Sequence, residues 1–180
     1  MSVRSGTVSG RPEQGEYAAY AAGDFEYVPG EDAIAALEGT AAETVRLFTS
    51  VGEEEATGLT YASGKWTLKE VLGHLIDDER IFAYRALCIA RGDFRELPGF
   101  DENDYMVNAP YEHVELEDLL SEFRLARLSN IAMLRTLDET AWTRIGMANG
   151  VPVSVRALAF IMVGHTRHHM GVLRERYGLN

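Results

Sequence analysis

Four stretches of this chain repeat apolar residues every three or four positions, and none alternates with period two for long enough to make a confident strand. That pattern narrows the fold most, because each stretch is an amphipathic helix with one stripe to bury. The first runs from about Glu31 to Val51 on Ile34, Leu37, Ala41, Val45 and Phe48. The second opens on Thr67, which forms a capping-box signal with Glu70, and reaches Arg91 before Gly92 on Leu68, Val71, Leu72, Leu75, Phe82 and Ala86. The third spans about Glu115 to Leu137 and is ended by Asp138-Glu139. The fourth, capped by Ser154, continues through Leu158, Met162 and Leu173 to Gly178. Four helices of roughly 20 residues, joined by short and long connections, predict an all-α four-helix bundle whose sites are built from facing side chains.

The remaining segments are read more coarsely. Residues 1–10 are small and polar and are expected to be disordered, while 11–180 read as a single domain, since 180 residues suit one core. Residues 11–30 carry Tyr17, Tyr20 and Tyr27 without a sustained period, which predicts an N-terminal extended arm whose aromatics pack on the body. Residues 92–113 make a long connection between helices two and three, of a length that compact domains usually reserve for function.

A net charge of −11, spread along the chain with no local basic patch, argues against a nucleic-acid partner. No apolar run approaches the ~20 residues needed to span a bilayer, so no membrane role is expected. The first residues carry no apolar export segment, and the single cysteine, Cys88, leaves no intramolecular disulfide; a cytoplasmic location is the expectation.

Chemistry concentrates in the histidines. Gly164-His165-Thr166-Arg167-His168-His169 places three of the five within one and a half turns of the fourth helix. Residues four apart share a helix face with Cβ atoms about 5–6 Å apart, so His165 and His169 point two imidazoles at one centre. Both fall inside the apolar stripe, whereas His168 lies about 60–100° toward the flank. His74 sits at the edge of the second helix's stripe, and would supply a third nitrogen while leaving coordination positions open. Three imidazoles suit zinc, nickel, iron and copper alike. The competing reading is that the histidines only satisfy one another in the core. No His-Glu-x-x-His and no Glu three residues before a histidine occurs, so the zincin and di-iron patterns are absent. Asp78, four residues after His74, reads either as a carboxylate that orients an imidazole N–H or, equally, as part of a solvated acidic face with Asp77 and Glu79.

The blocks Gly64-Lys65-Trp66-Thr67 to His74-Leu75, Gly164-His165 with His168-His169, and Leu173 to Tyr177 together resemble the DinB-like superfamily of metal-binding four-helix bundles. The resemblance implies a divalent metal held by His74, His165 and His169. It further implies an enzyme that works with a low-molecular-weight thiol, as bacillithiol S-transferases and mycothiol-dependent isomerases do, or a related hydrolase. The expected partners are a small-molecule thiol and an electrophile, and a homodimer is the expected assembly. His168, Asp101, Asp104 and Tyr105 are candidates for substrate contacts. The family pattern often carries Gln where this chain has Val172. The alternative reading is a non-catalytic metal- or ligand-binding dimeric bundle.

Overall fold

The computed structural model describes residues 10–180; the N-terminal stretch expected to be disordered lies, but for Gly10, outside the described residues. Among the described residues eight α-helices follow one another: α1 (Ala22–Glu26), α2 (Ala33–Thr49), α3 (Glu53–Gly58), α4 (Leu68–Ala90), α5 (Glu102–Asn108), α6 (Leu116–Leu134), α7 (Glu139–Thr143) and α8 (Val155–Tyr177). The long helices α2, α4, α6 and α8 are the four predicted from the apolar stripes and form the bundle. Local signals set their ends. Asp32 accepts from the Ala35 N–H, Thr67 and Glu70 close a full capping box, and Ser154 accepts from the Ala157 N–H. Gly178, with φ of 76°, terminates α8 in the left-handed conformation that glycine adopts without strain.

The order of helices around the bundle is not the order of the chain. α2 packs on α6 and α8, and α4 also packs on α6 and α8, so α2 and α4, the first two long helices of the chain, face each other across the diagonal. Along the bundle, two apolar clusters are separated by a polar layer. One contains Leu37, Ile89, Ile131, Leu158 and Met162; the other contains Leu47, Leu72, Phe123, Met170 and Leu173. Between them lie buried Thr40, Thr44, Asp78, Glu79, Arg127 and Thr166.

Three segments depart from the sequence reading. The arm is not extended throughout: it turns through Ala19–Ala21 into α1, whose Phe25 is buried with Ala21 and Val28 in the core. α6 stops at Leu134, and Asp138 caps the short α7 instead of ending the third helix. Ahead of α8, a hairpin of β1 (Ile145–Ala148) and β2 (Val151–Ser154) turns on Asn149-Gly150. Both turn residues have positive φ, 54° and 74°, as a two-residue hairpin demands. Strands of four residues are too short to register as period-two patterns. The 92–113 connection contains α5 and a single 3₁₀ turn at Tyr111–His113, and Leu97 pairs with the hairpin at Ala148.

Candidate metal centre

α4 carries His74 and, one turn on, Asp78; α8 carries His165 and, one turn on, His169. The two helices pack directly against each other, which points these side chains at one place. In each helix a glycine precedes the first histidine, and a Cβ on it would collide with a neighbour: Gly73 with the Tyr111 ring, Gly164 with the Asp24 carbonyl of α1. These glycines let the 3₁₀ turn and the arm close over the histidine-bearing ends.

Nitrogens of His74, His165 and His169 all lie within 4.8 Å of one another. The Nε2 atoms of His74 and His165 are 2.9 Å apart, and the rings of His165 and His169 are 4.5 Å apart between centroids. Asp78 Oδ2 stands 2.9 Å from His165 Nε2 and 3.4 Å from His74 Nε2, while Asp78 Oδ1 is buried without a protein partner among the described residues. Trp66 covers His74 with ring centroids 5.0 Å apart.

Burial holds all three imidazoles neutral, pushing His74 down to about 4, His165 to about 3 and His169 to about 2. Burial, reinforced by the charges of Asp77, Glu102 and Glu79, pushes Asp78 up to about 8. Neutral imidazoles offer lone pairs, which is the state a metal binds. A tetrahedral cation with bonds of about 2.0–2.1 Å needs nitrogens roughly 3.3 Å apart. The observed arrangement is close to that, and the unpartnered carboxylate oxygen beside it is left for a cation or its water. Protein hydrogen bonds alone serve the group poorly, because His165 Nε2 faces both His74 and Asp78 and cannot donate to one while accepting from the other with a single proton.

The centre opens into a cavity of about 780 Å³. Its walls come from the arm (Tyr17, Tyr20, Tyr27), from α4 (Phe82, Arg85) and from the hairpin (Val151 to Val153). His168 is exposed and lines the cavity rim, its ring 5.8 Å from that of Tyr27; it is not in the converging group. From the 92–113 connection, Phe100 and Glu102 reach the cavity, whereas Asp101, Asp104 and Tyr105 are not among its lining residues. Asp101 instead accepts from the Asn103 N–H and caps α5, Asp104 is exposed, and Tyr105 rests against Phe100 at 5.3 Å. Val172, where the family pattern has Gln, is half-buried against the lower apolar cluster.

Arg85 escaped the sequence reading. The signal was present, since 74, 78 and 85 are separated by four and seven residues and share one helix face. The wall supplied by the arm and hairpin had no such signal, because it depends on contacts far apart in sequence.

A bundle whose second and fourth long helices bring together three imidazoles, one buried and two half-buried, beside an open cavity defines the class of protein. Residues 36–173 match the DinB superfamily, and the chain belongs to it. The fold is similar to that of YfiT from Bacillus subtilis, a probable metal-dependent hydrolase with an unusual four-helix bundle topology. The TM-score is 0.70 and the identity 18%, covering 96% of this chain and 95% of that one. It is also similar to the mycothiol-dependent maleylpyruvate isomerase, with a TM-score of 0.66 and 13% identity over 81% of this chain; there the match spans only 60% of the isomerase. No curated protein matches the chain by sequence. Among the described residues, no helix is long and apolar enough to cross a membrane.

Proposed function

We propose that the protein is a divalent-metal-dependent enzyme that activates a small nucleophile, most simply a low-molecular-weight thiol transferred to an electrophile, or water in a related hydrolysis. The observation that carries this reading is the convergence of three neutral imidazoles and a partnerless carboxylate oxygen at a cavity of small-molecule size. His74, His165 and His169 are the proposed ligands, with zinc, nickel and iron each compatible with the donor set. When bound, such a cation supplies a lowered pKa to a coordinated thiol or water. Asp78 offsets the added charge, and its Oδ1 accepts a hydrogen bond from the nucleophile. Trp66 and Phe82 exclude water from the imidazole side. The similarity to YfiT and to the mycothiol-dependent isomerase supports both chemistries without choosing between them.

The test is elemental analysis of untagged protein beside its His165→Ala variant. About one divalent ion per chain, absent from the variant, is expected. Metal restored at one hundred times its Kd should stabilise the stripped wild type by about 2.7 kcal/mol. No metal in either protein, even after incubation with nickel and zinc, would refute the reading. Given metal, a panel of thiols offered a generic electrophile separates a transferase, which needs the thiol, from a hydrolase, which does not.

A further inference from the structure

Deeply buried cations elsewhere in this protein are matched by carboxylates: Arg127 by Glu79 at 2.6 Å, Lys69 by Glu53, and the mostly buried Arg156 by Glu16. Arg85 breaks this pattern. It is only 7% exposed, yet among the described residues no carboxylate lies within ion-pairing distance of it. Among the described residues its single protein acceptor is the Pro98 carbonyl, to which Nη2 donates at 2.7 Å, so Nε and Nη1 have none there. Nε and Nη1 are not sealed from solvent, so they stay free to donate to a bound group, and none of the chain's 28 acidic residues is placed to pair with them among the described residues.

The side chain is also held in place. Its guanidinium lies 5.8 Å from the centre of the Phe82 ring and 5.7 Å from that of Phe100, contacts that fix the plane of the fork. Phe82, Arg85 and Phe100 all line the cavity that opens from the histidines. A planar fork between two aromatic faces fits a carboxylate carried on an apolar or aromatic body, which can accept two parallel hydrogen bonds.

We propose that Arg85 is the anchor for a single carboxylate on the small molecule that occupies this cavity. This deepens the proposed function and rests on that reading only for the reacting end of the ligand. The Phe82 ring centre lies 5.8 Å from the Arg85 guanidinium and 6.3 Å from the His165 ring, so one small molecule can reach both the anchor and the histidines. The ligand therefore spans the cavity, with its reactive group at the imidazoles and its charge at Arg85. Asp24, Glu26, Asp78 and Glu102 also line the cavity, and Arg85 is its one arginine or lysine among the described residues. That balance selects for one negative group and against a multiply charged ligand.

Calorimetric titration at low salt with phenylacetate and its neutral isostere phenylacetamide tests the assignment, using full-length protein both metal-free and zinc-loaded. Wild type should bind phenylacetate at least tenfold more tightly than the amide in both forms. Arg85→Gln should bind the two alike. Arg85→Lys, which keeps the charge and loses the fork, should lower the preference at least threefold. Equal binding of the two probes by metal-free wild type overturns the proposal, as does a preference that survives in Arg85→Gln. If Arg85→Gln does not fold, the wild-type comparison and Arg85→Lys decide. Failure of the metal reading shows as absent metal in elemental analysis, whereas failure of this inference shows as no charge preference in protein that holds no metal.

Discussion

Two polar clusters sit side by side in the middle of the bundle, on adjacent residues of the same helices, and they are built on opposite principles. Glu79 and Thr166 belong to a closed network. Arg127, fully buried, donates to Glu79 at 2.6 Å, to Thr40 at 2.7 Å, to Thr166 at 3.0 Å and to the Leu37 carbonyl at 3.0 Å, and Asn130 donates to the second oxygen of Glu79 at 2.9 Å. Their neighbours Asp78 and His165 belong to an open one. There, three imidazoles and a carboxylate crowd together with one oxygen unpartnered and no cationic side chain among them. The closed cluster pairs its charges within itself, with Arg127 Nε its one buried donor left without a partner among the described residues, and ties all four long helices together. The open cluster leaves its donors facing a cavity. The contrast shows how a bundle can hold one buried polar group for architecture and keep its neighbour for a ligand.

The comparison is broken most directly from the closed side. Arg127→Met leaves Glu79 buried without a cation and should cost about 3–5 kcal/mol in urea unfolding. Arg127→Met combined with Glu79→Met should recover much of that loss, because a buried pair replaced by apolar groups is often near neutral. A single variant that unfolds at wild-type urea concentrations would show that the network is not closed.

On the open side the same kind of change should behave differently. Asp78→Asn keeps the shape and replaces a carboxyl whose ionised form burial disfavours, so the metal-free protein should be as stable as wild type or more so. Metal affinity, read by competition with a chelating dye, should fall about 10–100-fold, as expected for a group that supports metal ligands. A large loss of metal-free stability with unchanged affinity would place Asp78 with the architectural cluster.

The smallest effect is in pH dependence. In the unfolded chain His74 takes up a proton near its usual 6.5, and in the folded protein only near about 4, because of burial. Between those values the unfolded state binds more protons, so stability present above pH 6.5 is lost as the pH falls. That contribution has a slope of about 1.4 kcal/mol per pH unit. Metal-free His74→Leu should therefore lose acid-side steepness by about that amount in chemical unfolding at pH 6 and 5. Equal slopes in the two proteins would mean that His74 is already charged in the fold.

What could be read in the sequence follows the range of the interactions involved. The capping residues Thr67 and Ser154 and the stop at Gly178 depend on neighbours within a turn, and they appear as expected. The pairing of His165 with His169 is likewise a property of one helix. His74 was placed at the edge of a stripe but is 4% exposed, because Trp66 and α8 cover that edge. From sequence Asp78 reads equally as a solvated acid, yet it is 4% exposed and touches two imidazoles. Arg127 occupies an apolar-stripe position between Phe123 and Ile131, a substitution visible in the sequence whose partners on α2, α4 and α8 were not.

By itself, then, the sequence determined the four long helices, several of their ends and the pairing of His165 with His169, since periodicity and capping are settled by residues close along the chain. Only the tertiary structure decided that α2 and α4 lie across a diagonal, that the arm and hairpin roof the cavity, and that Arg85 lies at its wall without a partner. Those outcomes depend on which buried faces meet, and many residues distant in sequence settle them together.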